Sequence, residues 1–154
     1  MSGRVFFDTN VFIYVLATND PRSKRAEDLL AAGSILSVQI LNEFVSIARR
    51  KLLMSWSEVA EALVAIRILC PSPLPLTVEA HEAALKIAER HGYGIYDALV
   101  VAAALDAGCE TVYSEDLHDS IFAAGSLFLR WLTMSLWIEG SLRARYRTFS
   151  VDQS

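Results

Sequence analysis

Near its start the chain reads Val5-Phe6-Phe7-Asp8-Thr9-Asn10-Val11-Phe12-Ile13. One carboxylate stands between two apolar runs that both require burial. An ionised carboxylate away from water is costly unless it is hydrogen-bonded, paired or bound to a cation. A fold of this chain must therefore end a buried element at Asp8 and give the charge a reason to be there. Val5, Phe6 and Phe7 are β-branched or aromatic and form a very short run, which predicts a buried strand over Arg4 to Asp8. A helix is expected from Val11 to about Ala17.

The rest of the chain alternates the same two patterns. Thr18-Asn19-Asp20-Pro21 is turn chemistry, and Pro21 suits the first position of a helix that runs to about Ala32 and stops at Gly33. Ser34 to Val38 reads as a second short strand. Ile40, Leu41, Phe44, Val45, Ala48 and Leu52 recur at helical spacing. Ser57 is expected to cap a helix over Glu58 to Leu69. A proline-rich connection leads to a third short strand, Leu74 to Thr77. Glu79 to His91 is amphipathic and ends at Gly92. A strongly apolar helix follows Tyr93-Gly94-Ile95-Tyr96-Asp97 and closes at Gly108, and Glu110 to Ser114 is a fourth strand. Short strands separated by helices predict an α/β fold, a parallel sheet with helices on both faces.

Composition narrows the function. The chain has 154 residues, enough for one domain, and 53% of them are hydrophobic. Its net charge of −4 is the wrong sign for gripping nucleic acid by bulk charge. A polyanionic substrate would need local basic patches or a bound cation. Arg22, Lys24 and Arg25 form one small basic cluster; Arg49, Arg50 and Lys51 form another, where a helix dipole favours cations anyway. Cys70 and Cys109 are far apart and lack partner Cys or His residues, which argues against zinc or a disulfide and fits a reducing compartment. The longest apolar run, Ser126 to Ile138, contains Arg130 and is shorter than the roughly 20 residues a spanning helix needs. The expectation is a cytoplasmic protein that does not enter the membrane.

Ligand sites in open parallel sheets lie at the carboxyl ends of the strands. Asp8 ends the first strand, and Asp116 lies just beyond the fourth. Glu43 falls early in the helix after the second strand, and Asp97 opens the apolar helix. Each has an ordinary reading alone: Asp97 as a charge complementing a helix dipole, Glu43 as a solvated helix residue, Asp116 as the start of a surface loop. Together, four acids at one sheet edge would repel one another without a cation. Carboxylate oxygens without His or Cys suit Mg²⁺ or Mn²⁺, which also lets an acidic protein handle a phosphodiester.

The segments FFDTNVFIYV, LNEFV, YGIYDALVVAAALDAGC and TVYSEDL, in this order, resemble the PIN-domain family, in particular VapC-type toxins of prokaryotic toxin–antitoxin pairs. The resemblance spans roughly Val5 to Asp119. It implies a three-layer α/β/α Rossmann-like fold with a short, mostly parallel central sheet. It also implies a metal-dependent endoribonuclease using Mg²⁺ or Mn²⁺, an RNA substrate, a cognate antitoxin and a homodimer. Carried over by motif, the catalytic and metal-binding acids are Asp8, Glu43, Asp97 and Asp116, with Asn10 and Ser114 as supporting polar groups. Asp97 or Asp116 would be the general base, with one ion or two.

The resemblance divides the chain into a PIN-like nuclease domain, residues 1–118, and an atypical tail, residues 119–154. The tail is apolar first and then basic, with Arg143, Arg145 and Arg147 at alternate positions. Three readings stand for it: an element packed on the domain or on an oligomer partner, a reading frame altered after about Asp119, and an RNA-binding arm. The rival to a nuclease is a catalytically silent PIN-fold module that acts by binding protein or RNA. Phosphoaspartate enzymes also end a first strand with Asp. The phosphatase type needs a second Asp where this chain has Asn10, and receiver domains need a late Lys, whereas the last lysine here is Lys86.

Overall fold

The computed structural model describes residues 4–16, 21–31, 33–114 and 128–131, with the last stretch and residues 21, 22, 25 and 29 as backbone only. Three strands, β1 (Val5–Phe7), β2 (Thr111–Ser114) and β3 (Phe128–Trp131), form a sheet in that spatial order. Both pairings are parallel, with Phe6 opposite Val112 and Val112 opposite Leu129. Six helices are described: α1 (Thr9–Leu16), α2 (Pro21–Ala31), α3 (Val38–Arg50), α4 (Trp56–Leu69), α5 (Val78–His91) and α6 (Ile95–Asp106).

On the other side of β1 the sheet continues as two single-residue bridges, Ile35 to Phe6 and Leu74 to Ser37, both parallel. The expected strands over Ser34–Val38 and Leu74–Thr77 shrink to these bridges. The reason is local. Val38 already begins α3, so Leu74 has only Leu36 and Val38 to bond, which it does through its own N–H and C=O, each at 2.9 Å. Pro73 and Pro75 flank it. The spatial order is therefore Leu74, Ile35–Ser37, β1, β2, β3. The chain moves outward from β1 in one direction, then returns to the opposite side of β1 with β2. That reversal creates a crevice at the carboxyl ends of β1 and β2.

The first strand is buried for the reason its sequence suggests. Phe6 and Phe7 are almost wholly enclosed, and Phe7 stacks on Tyr113, its register partner, with ring centroids 5.3 Å apart. In α3 the residues Ile40, Phe44 and Ala48 form a fully buried stripe at four-residue spacing. Gln39 and Glu43 precede two members of that stripe by one residue each. Helix α6 is buried over the whole run Ala98 to Ala104. A run enclosed on all sides belongs to the interior, and the helix contacts α3, α5 and β2.

Helix ends explain the remaining boundaries. Helix α4 starts two residues earlier than Ser57 would allow. Ser55 is its cap: the hydroxyl accepts from the Glu58 N–H at 3.2 Å, and the Glu58 carboxylate accepts from the Ser55 N–H at 2.6 Å. Serine three residues ahead of glutamate is the reciprocal capping box, and that spacing selects Ser55. Thr77 caps α5 from one side only, its hydroxyl accepting from the Ala80 N–H at 3.1 Å, and Gly92 ends the helix in the left-handed conformation, φ 72°.

Candidate functional site

Asp8 follows the last paired residue of β1 and stays in the sheet through its backbone, its N–H donating to the Tyr113 carbonyl at 2.9 Å. Its side chain is 6% exposed. One carboxylate oxygen accepts from the Thr9 N–H at 2.7 Å, and the other accepts from the Ser114 hydroxyl at 2.5 Å. Ser114 is the last residue of β2. The acid between the apolar runs is thus held at the crevice by one donor from the start of α1 and one from the end of the neighbouring strand.

Thr9 is itself 2% exposed and turns its hydroxyl the other way, donating to Glu43 Oε2 at 3.0 Å. The second oxygen of Glu43 accepts from the Gln39 amide at 2.8 Å, one helical turn earlier on α3. Five residues therefore form one chain of hydrogen bonds, Gln39, Glu43, Thr9, Asp8 and Ser114, with the Thr9 backbone N–H making the link to Asp8. Two of the expected acids and one of the expected supporting groups are in it. Thr9 and Gln39 were not expected. Both carry a signal in hindsight: Thr9 is a polar residue that must be buried beside Asp8, and Gln39 lies four residues before Glu43 on the same helix face.

Asp97 comes from another element. It lies in the first turn of α6, where the dipole favours a carboxylate. The other end of α6 is fixed beside the amino end of β1: the Arg4 guanidinium donates to the Ala107 carbonyl, and the Glu110 N–H to the Arg4 carbonyl, each at 2.9 Å. The amino end of α6 accordingly points toward the carboxyl ends of the strands. The Asp97 carboxylate folds over Gly94, with Oδ2 3.9 Å from where a β-carbon would be. Burial, helped by the Asp97 charge, pushes the Tyr93 phenol up to about 12. Asn10 is half-buried in the first turn of α1, and Tyr96 is exposed. Asp116 lies outside the described residues, as do Glu115, His118 and residues 132–154. Among the described residues, no three His, Cys, Asp or Glu side chains gather into a metal-binding group. The structure joins Asp8 to Glu43 through Thr9.

The chemistry of this pair is that of hard oxygen donors. The groups donating to Glu43 are a hydroxyl and an amide, both neutral, so they orient its charge without cancelling it. They use two of the roughly four lone-pair positions of the carboxylate. A carboxylate so arranged has the capacity to bind a hard divalent cation, and the donor types match one.

The PIN domain family model matches residues 5–122. The chain belongs to the PIN domain family. Solved structures with the same fold include VapC20 of Mycobacterium tuberculosis, described as a sarcin-ricin loop cleaving toxin. It is 22% identical, with a TM-score of 0.58 over 70% of this chain and 86% of that one. A toxin–antitoxin complex from Klebsiella pneumoniae is 16% identical, with a TM-score of 0.59 over 75% and 88%. VapBC2 from Rickettsia felis, bound to a fragment of its promoter DNA, is 15% identical, with a TM-score of 0.55 over 73% and 88%. No curated protein matches the sequence. This chain is a PIN domain of α/β class with a short parallel sheet, in the fold of VapC toxins.

Proposed function

We propose that this PIN domain is a metal-dependent endoribonuclease, the toxin of a toxin–antitoxin pair, which hydrolyses RNA phosphodiester bonds. The observation that carries the reading is the linked pair Asp8 and Glu43, buried and half-buried at the crevice where the sheet reverses direction. Two carboxylates joined through one threonine in a cleft are difficult to explain as packing. A bound cation would also help an acidic protein approach a phosphodiester.

In this reading Asp8 and Glu43 hold Mg²⁺ or Mn²⁺, and Asp97 and Asp116 complete the ligand and base set. A divalent ion, when bound, neutralises phosphate charge and acidifies a water molecule. Ser114 and Thr9 keep the Asp8 carboxylate oriented. Asp97, at the start of a helix buried over Ala98 to Ala104, accepts the proton from the attacking water, or shares that task with Asp116. Asn10 positions water or a ligand carboxylate. The fold shared with VapC20, described as a sarcin-ricin loop cleaving toxin, and with a toxin–antitoxin complex supports an RNA substrate and an antitoxin partner; a homodimer is part of the same proposal.

The test uses the chain purified free of any antitoxin and incubated with structured RNAs in Mg²⁺, Mn²⁺ or EDTA, beside Asp97→Asn prepared identically. Cleavage should require the metal, and the variant should lose about 100-fold or more of the rate, the scale of a lost general base. Equal cleavage by variant and parent would refute the site. No cleavage by folded, Mn²⁺-binding protein on any RNA would favour a silent binding module.

A further inference from the structure

We infer that Thr9 and Gln39 are positioning residues for Glu43, and that Thr9 couples Glu43 to Asp8 so that the two carboxylates act as one unit toward a divalent cation. The inference rests on the metal-site reading above and adds two residues to it.

Three observations support it. First, both residues are buried polar side chains, 2% and 6% exposed. Burial of a hydroxyl or an amide is costly unless the group is hydrogen-bonded, and each of these bonds the same carboxylate, one per oxygen. Glutamate has three side-chain torsions, and on a helix a half-buried one samples several rotamers. Two donors arriving from different elements select one. Second, a carboxylate only accepts, so the Gln39 group facing Glu43 is its NH₂. An ionised Glu or Asp at position 39 could not take this place. Third, Thr9 divides its polar groups between the two acids: its backbone N–H goes to Asp8 and its hydroxyl to Glu43. Any displacement of the start of α1 moves both acids together. Donors that orient metal-binding groups typically contribute about 10-fold to 100-fold in metal affinity.

The experiment measures Mn²⁺ affinity by titration calorimetry on the full chain, without RNA. Thr9→Val keeps the shape and the backbone donor but removes the hydroxyl. It should weaken Mn²⁺ binding about 10-fold or more, and Thr9→Ser should restore it. Gln39→Leu should act in the same direction. In a Glu43→Ala background, Thr9→Val should cause no further loss. Parental affinity in Thr9→Val, or an equal loss with and without Glu43, would overturn the inference. If the parent binds no Mn²⁺, the proposed function fails, and a second measurement decides the positioning role. That measurement is a urea-denaturation cycle of Thr9→Val and Glu43→Ala on metal-free protein. Non-additive midpoints would confirm that the Thr9 hydroxyl acts through Glu43, and additive midpoints would refute it.

Discussion

At the scale of single residues, the molecule depends on where its buried polar groups find partners. Ser114→Ala would leave one buried oxygen of Asp8 without its hydroxyl donor. The expected cost is about 1–3 kcal/mol of folding stability, the scale of one lost hydrogen bond to a buried carboxylate, read from urea denaturation. Cys109 is a second case, and its burial shows in the pH dependence of stability. Burial pushes its thiol up to about 11, only partly offset by Arg4. The unfolded chain therefore loses this proton before the folded protein does. The stabilising contribution is complete at neutral pH and is lost as pH rises from about 9 toward 11. Cys109→Ala should show a shallower loss of stability across that window, and the parent thiol should resist alkylating reagents at pH 7. Asp8 was legible as a buried, hydrogen-bonded acid at the end of a strand because a lone acid between apolar runs has few explanations. The partnership of Thr9 and Gln39 was not, since only the fold brings the Thr9 hydroxyl and the Gln39 amide to the same carboxylate of Glu43.

At the scale of elements, sequence periodicity marked the helices well and their ends less well. The apolar stripe of α3 and the apolar run of α6 were both plain, because enclosure demands those residues. The start of α4 was misread because Ser55 and Ser57 both fit a cap, and only the distance to Glu58 separates them. Ser55→Ala should cost about 1 kcal/mol in thermal or urea denaturation, whereas Ser57→Ala should be near neutral. The two glycines before α6 should also differ. Gly92 has φ 72°, so Gly92→Ala should cost about 1 kcal/mol. Gly94 has φ −62° and room for a methyl group, so Gly94→Ala should fold as stably as the parent. The second and third strands were overestimated, because β-rich sequence cannot reveal that α3 begins at Val38 and leaves nothing for a longer ladder to pair with.

At the scale of the whole molecule, the order of short strands and helices was enough to indicate a parallel α/β fold and the end of the sheet where a site would form. What could not be read was the pairing itself. Residues 128–131 extend the sheet as β3, and nothing in their composition distinguishes a fifth parallel position from a surface element. The core that supports the site is continuous from Phe6 and Phe7 through Phe44 to Val101. Phe44→Ala, at a position with no exposure, should cost about 3–5 kcal/mol. Because Phe44 directly follows Glu43, it should also lower Mn²⁺ affinity in whatever fraction remains folded.

The prolines beside Leu74 have a consequence for how this molecule meets its own copies. Successive N–H groups along an extended segment point to opposite sides. Leu74 directs its N–H inward to Leu36, so the outward-facing positions are 73 and 75, and proline at both removes the outward donors. A sheet edge without donors cannot template a foreign strand. The outer side of the first parallel position is thereby closed by the sequence itself, and strand-by-strand aggregation is discouraged at little structural cost. Replacing both prolines with threonine should leave the fold intact and raise the rate of thioflavin-positive aggregation on mild heating; an unchanged rate would show that this edge is protected by something else.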